Sequence, residues 1–126
     1  MATAIEADWI LKTMAAMAAA DQRLDAREVD LIQRVYEELT GRTVDVGGVV
    51  SAVQRYARRD VANDLSSVAG SFSAEAKAAI LQGAYRTLAC NNHVSQAERH
   101  ALERVAAALR LTDSEREAIL AEADKT

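Results

Sequence analysis

Hydrophobic residues recur along most of the chain at intervals of three and four, which is the periodicity of an amphipathic helix. Similar spacing predicts a first helix over about 3–20, another after Ser73 and a further one after Ser95. The clearest run predicts a second helix that ends near Leu39 and is charged on its other face. The apolar face of that helix consists of Val29, Ile32, Val35, Tyr36 and Leu39. The pattern therefore predicts an all-α chain of about seven short helices.

Polar residues at the predicted helix ends support these boundaries. In a capping box, a cap side chain and an acid three residues later each accept a hydrogen bond from the other's backbone amide. We assign this pattern to three of the predicted helix starts: Asp25 with Glu28, Ser95 with Glu98, and Thr112 with Glu115. Gly41 is the expected stop of the second helix. The seventh helix is expected to end near Ala123 and to bury Ile119 and Leu120.

The middle of the chain is less regular. Asp45 is a candidate cap for a helix that begins near Val46, in which Val49 and Val53 continue a helical apolar stripe. A new helix start is expected at Asp60. The pattern fits one kinked helix or two separate helices, and we favour two.

The chain contains an internal repeat. The stretch 20–28 returns without gaps at 90–98, and each copy has the pattern of a helix end, a tight polar turn and a new helix start. The same offset relates apolar positions on both sides of the turn: Ile10 to Ile80, Leu11 to Leu81, Val35 to Val105 and Leu39 to Leu109. We therefore expect residues 1–126 to form a single domain with two pseudo-repeated helical hairpins.

Composition and charge narrow the class of protein. The absence of Pro and the presence of only five Gly suit a helical chain, and the formal net charge of -4 argues against a broad nucleic-acid footprint. No run reaches the roughly 18 apolar residues of a membrane span. The one cysteine, Cys90, excludes an internal disulfide and fits a reducing compartment. Glu6 and Asp8 stand where a signal peptide would be basic, so we expect a cytoplasmic protein.

Motifs of catalysis are missing from the sequence. It has no glycine-rich phosphate loop, no nucleophile with a nearby base and no HExxH pattern, so we do not expect an enzyme. Cys90, His93 and His100 offer soft ligands, but their spacing matches no zinc pattern.

A small basic cluster is formed by Arg55, Arg58 and Arg59. We interpret it first as a solvated face with helix-end charges. A surface for an anionic partner is the alternative.

The first turn carries three carboxylates, Asp21, Asp25 and Glu28, within eight residues. Clustered carboxylate oxygens suit hard cations such as calcium, magnesium or manganese. The same acids are also explained as helix caps, and the residues alone favour that interpretation. An EF-hand is not expected, because Met17 and Ala19 would stand at its first two ligand positions.

The turn motif resembles that of the TerB-like proteins. These are the tellurite-resistance TerB family and its relatives, including the N-terminal domain of DjlA-type membrane co-chaperones. Their pattern is Ala-x-Asp-Gly-x-Leu/Ile-Asp/Ser-x-x-Glu, entering a helix and recurring in a second half. Residues 19–28 resemble it, and residues 89–98 resemble it more faintly. Gln22 and Asn92 replace the turn glycine, and Asn91 replaces the acid of the second copy.

The resemblance implies an all-α fold of about seven helices around a pseudo-twofold pair of hairpins. It also implies a bacterial cytoplasmic protein linked to tellurite resistance and wider stress responses. A divalent-metal site carried over from the family would use Asp21, Asp25 and Glu28, with Glu98 from the second half.

Two functions remain open at this point. One is a non-enzymatic TerB-like stress-response module that binds a divalent cation at the first turn. The other is a metal-free helical module that binds other proteins or a second copy of itself. Its surface would be a groove between the hairpins or an exposed stripe near Val49 and Val53.

Overall fold

The described part of the chain is entirely helical, apart from its turns and loops. A computed structural model describes residues 2–20, 24–91 and 94–125. Within these ranges there are seven α-helices and no strand, which confirms the expected all-α fold. The helices are α1 (Ala4–Ala20), α2 (Ala26–Thr40), α3 (Val46–Tyr56), α4 (Val61–Ser66), α5 (Ala74–Leu88), α6 (Gln96–Ala108) and α7 (Asp113–Asp124). Within the same ranges, no helix has the length and apolar character that a membrane crossing requires.

The predicted helix starts are confirmed by their capping hydrogen bonds. Asp45, Asp60 and Ser73 each accept a bond from the backbone N–H three residues later. Ser95 and Thr112 each form a complete capping box with the glutamate three residues on. Because Asp60 starts a new helix after a turn, the middle of the chain consists of two helices rather than one kinked helix.

The second helix of each hairpin ends on a residue in the left-handed region. Gly41 follows α2 with φ 72°, and its N–H donates to the Glu37 carbonyl at 2.8 Å. Arg110 follows α6 with φ 60°, and its N–H donates to the Ala107 carbonyl at 3.0 Å. Glycine adopts this conformation without steric cost, whereas arginine does not.

The core is organised around α1 and α5. Ile10 and Ile80, which the repeat pairs, are both completely buried. The two helices approach closely at Gly83, where a Cβ atom would lie 3.0 Å from the Cγ and Sδ atoms of Met14. In the first hairpin α2 packs against both α1 and α5, and in the second α6 packs against α5 and also contacts α1. The repeat therefore forms two hairpins that share one core.

The two central helices run in the same direction. At their first turns, the Glu6 Oε2 atom of α1 accepts a bond from the Ser73 N–H, which caps α5, at 3.2 Å. Near their middles, Met14 meets Gly83. Because both pairs of contacts occur in the same order along the helices, the C-terminal ends of α1 and α5 lie at the same end of the pair.

The third helices of the two halves pack differently. Helix α3 lies against both α1 and α2 and buries Val49 and Val53, which are 0% and 9% exposed. The expected exposed stripe near these valines is therefore wrong, because their side chains fill the α1–α3 interface. Helix α7 packs mainly against α5, and Ile119 and Leu120 are only half-buried rather than buried as expected.

Candidate functional site

The turn between α1 and α2 carries the acids that the sequence marks as a metal site. Asp25 is exposed, and its Oδ1 atom accepts the Glu28 N–H at 2.8 Å. This bond confirms the capping role of Asp25. Asp21 lies outside the described residues, so its place beside the other two acids stays a prediction.

Glu28 is the unusual acid of this turn, because its side chain is buried at 3% exposure. A carboxylate out of water needs hydrogen bonds or a nearby cation to compensate for its lost hydration. Glu28 has an interaction within the chain besides its backbone bond to Asp25. The first turn therefore holds one exposed acid and one buried acid at the start of α2.

Glu98 occupies the corresponding place in the second half and is engaged in a capping box. Its Oε1 atom accepts the Ser95 N–H at 3.0 Å, and the Glu98 N–H donates to the Ser95 hydroxyl at 3.1 Å. One of its carboxylate oxygens is therefore already bonded within its own turn. In the described ranges, no three His, Cys, Asp or Glu side chains come together in a way that could hold a metal ion. The structure thus does not join Glu98 to Asp25 and Glu28.

The three candidate zinc ligands, Cys90, His93 and His100, can be placed only in part. Cys90 is half-buried and His100 is exposed, while His93 lies outside the described residues. The conclusion that the spacing of these residues matches no zinc pattern is therefore unchanged.

Glu6 is a buried carboxylate that joins α1 to the start of α5, a role that the sequence pattern did not predict. Its Oε1 atom accepts the Thr3 N–H at 2.9 Å, and its Oε2 atom accepts the N–H and the hydroxyl of Ser73 at 3.2 and 3.3 Å. The Thr3 N–H is the main reason that the pKa of Glu6 is lowered, burial opposes it, and the Ser73 bonds lower the pKa further. The pattern Thr-x-x-Glu at residues 3–6 is itself a capping box and could have identified the Thr3 half of this contact.

A groove lies between α5, α6 and α7. It has a volume of about 410 Å³, and its apolar lining includes Leu102, Leu120 and the ring of Tyr85. The lining also carries both signs of charge: Arg99, Arg116, Glu103, Glu117 and Asp124. The groove exists because α7 covers α5 and leaves part of α6 open, whereas α3 covers both helices of the first hairpin.

The Tyr85 hydroxyl at this groove donates a hydrogen bond to the Asp124 carboxylate. That bond is the main cause of a raised pKa at Tyr85, and partial burial acts in the same direction. It ties the end of α7 to α5. The groove thus has a wall that is held by a polar contact as well as by packing.

Comparisons with known proteins found no match for this chain among family models, curated proteins or solved structures. The resemblance of the turn motif to the TerB-like proteins therefore rests on the residues of the two turns and on the predicted helical layout.

Proposed function

We propose that this protein is a non-enzymatic TerB-like module that binds a divalent cation at the turn between α1 and α2. The ligands would be carboxylates of Asp21, Asp25 and Glu28, and the cation calcium, magnesium or manganese. A cytoplasmic role in tellurite resistance and stress responses is part of the proposal through the family resemblance.

The observation that carries the proposal is the buried Glu28 carboxylate three residues after the exposed Asp25. Hard cations take several oxygen ligands, and a buried carboxylate is an oxygen donor that has already lost most of its hydration. Binding would add ligands from Asp25 and Asp21 on the solvent side. Because α1 and α5 run in the same direction, Glu98 at the start of α6 would be the family-type ligand that the second half supplies.

Isothermal titration calorimetry of chelator-stripped protein tests the proposal. Calcium, magnesium, manganese and zinc are titrated separately into the wild type and into the double variant Asp21→Asn, Glu28→Gln. We expect saturable binding of at least one of the hard cations to the wild type and loss of that binding in the variant. The control variant Asp113→Asn, Glu117→Gln loses the same two charges on exposed α7 positions and should bind like the wild type.

Because Glu28 is buried, its substitution could lower stability, so the single variant Asp21→Asn and a thermal-unfolding experiment accompany the titration. A bound cation raises the melting temperature of the wild type through mass action and should not do so for Asp21→Asn. Absence of binding by any of the four ions to folded wild type would overturn the cation proposal.

The second candidate function is a metal-free interaction module, and the groove between α5, α6 and α7 favours it. Half-buried Leu120 lines this groove together with charged side chains, and apolar surface surrounded by polar residues is typical of binding surfaces. If a second copy fills the groove, sedimentation equilibrium should show a dimer in the wild type and a monomer in Leu120→Asp. A monomer at all concentrations for the wild type would exclude self-association at this groove.

A further inference from the structure

The arginine cluster at the end of α3 is exposed and has no ion pair among the residues that the structure describes. Arg55, Arg58 and Arg59 all lie on the surface. No ion pair joins any of them to another residue in the described ranges. A cation in the last turn of a helix is favoured by the helix dipole, but that effect accounts for Arg55 and falls off beyond the turn. Three guanidinium groups within five residues, without an ion pair in the described part of the chain, exceed what the end of α3 requires.

Further cations and aromatic rings adjoin this cluster. The Lys12 Nζ atom lies 4.5 Å from the centre of the Trp9 ring and 5.8 Å from that of Tyr56. Tyr56, Arg59 and Arg104 line one recess of about 210 Å³ that reaches from α3 to α6. We group the three arginines of the cluster with these two neighbouring cations and call the five the basic strip: Lys12, Arg55, Arg58, Arg59 and Arg104.

Among the described residues, two cations of the basic strip are paired with carboxylates. Asp8 lies 3.0 Å from the Lys12 Nζ atom, and both oxygens of Asp60 accept bonds from the Arg104 Nη2 atom at 2.9 and 2.8 Å. The Arg104 bond is also the main reason that the pKa of Asp60 is lowered. Over 2–20, 24–91 and 94–125, the three arginines of the cluster have no such partner, although the formal net charge of the chain is -4.

We propose that the basic strip is a docking surface for an acidic segment of a partner protein. Arginine binds carboxylates through paired, charge-assisted hydrogen bonds, and its planar group also stacks on aromatic rings. Trp9 and Tyr56 supply such rings and a partly apolar floor beside the cations. This surface is separate from the proposed cation site and does not depend on it.

The charge and shape of the molecule favour a protein segment over other anionic partners. A nucleic acid would extend beyond the strip onto a surface that is negative overall, and its phosphates would be repelled there. A membrane would need an apolar face to insert, but the exposed large hydrophobic residues in the described ranges are Ile5 and Val46. A short acidic segment needs only the strip itself.

Fluorescence anisotropy with a fluorescein-labelled peptide rich in Glu and Leu tests the proposal. Its counterpart with Gln for every Glu serves as the neutral probe. We expect saturable binding of the acidic peptide only, weakening as salt is raised. The triple variant Arg55→Gln, Arg58→Gln, Arg59→Gln should bind about tenfold more weakly, which three exposed ion pairs together can supply.

A matched control removes three other exposed arginines: Arg34→Gln, Arg42→Gln and Arg110→Gln. It has the same net charge as the cluster variant and should bind the acidic peptide like the wild type. A variant with Lys at positions 55, 58 and 59 should retain most of the binding. If both Gln variants bound the acidic peptide equally weakly, the weakening would come from the change in net charge alone, and the proposal would be overturned. Binding of single-stranded RNA or phosphatidylserine vesicles without binding of the acidic peptide would overturn it as well.

Discussion

The two halves of the molecule begin alike and end differently. In each half, a central helix leads through a polar turn into a capped second helix, and residues at the same offset fill the same core. The third helices break this likeness, since α3 covers both helices of its hairpin and α7 covers mainly α5. This difference indicates that the repeat specifies the two hairpins. The residues outside the repeat decide how much of each hairpin is covered by a third helix.

The loop before α3 approaches the first turn of that helix closely at a glycine. A Cβ atom on Gly48 would lie 2.8 Å from the Val44 Cγ2 atom and 3.1 Å from the Asp45 Oδ1 atom. Glycine therefore lets the loop fold tightly against the first turn of α3. Helix α7 begins instead with Asp113, and its only buried residue is Ala123, which is 7% exposed.

The largest expected effect comes from a pair of core leucines that the repeat relates. Leu81 is completely buried in α5, whereas its counterpart Leu11 in α1 is half-buried. We expect Leu81→Ala to lower the free energy of unfolding by about 2–5 kcal/mol and Leu11→Ala to lower it clearly less. Urea unfolding measures both. Equal losses would mean that the two halves contribute their central helices symmetrically, against the burial seen here.

A second effect concerns Glu6, which has no acidic counterpart because the repeat places Ala76 at its position. We expect Glu6→Gln to lower the free energy of unfolding at neutral pH by about 1.5–3 kcal/mol, because hydrogen bonds to a charged, buried carboxylate are lost. The pKa of Glu6 is lowered in the folded protein. The contribution of the charged Glu6 carboxylate to the free energy of unfolding is therefore complete above the pKa that Glu6 has in the unfolded chain. It disappears as the pH falls through the lower pKa of the folded protein.

Urea unfolding of wild type and Glu6→Gln from neutral to acidic pH measures this contribution. The difference between the two proteins should shrink as the pH falls. Glu115→Gln is the control, since Glu115 also has a lowered pKa through its bond to the Thr112 N–H but is exposed. A difference that is constant with pH would show that the Glu6 charge does not connect the two halves.

The third helices supply a smaller contrast. Val49→Ala in α3 removes two methyl groups from a completely buried side chain and should cost about 1.5 kcal/mol. Ile119→Ala in α7 removes more atoms but from a half-buried side chain, so we expect a smaller loss. Thermal and urea unfolding should agree on this order. A larger loss for Ile119→Ala would show that α7 is held more firmly than its burial indicates.

The smallest effect lies at the ends of the second helices. Gly41→Ala should lower the free energy of unfolding by about 1 kcal/mol, because alanine is strained at φ 72°. Arg110→Gly should change stability in the opposite direction or leave it unchanged, because it relieves the same strain at φ 60°. Stabilisation by Gly41→Ala would contradict the left-handed conformation.

Much of the fold was predictable because its signals are local. A capping side chain bonds an amide three residues away, so Asp45, Asp60 and Ser73 were identifiable from their own neighbourhoods. The candidate cation site was predictable only in part. The capping role of Asp25 was evident, but the burial of Glu28 depends on how the turn lies against the rest of the chain.

The sequence by itself determined the seven helices, their caps and the two related hairpins, since periodicity and capping act within a few residues. Only the tertiary structure decided that Glu6 would join α1 to Ser73, that Val49 would be buried, and that α7 would leave a groove. These outcomes depend on residues far apart in the chain. Packing against distant side chains decides which of several amphipathic faces is covered, and no local pattern contains that information.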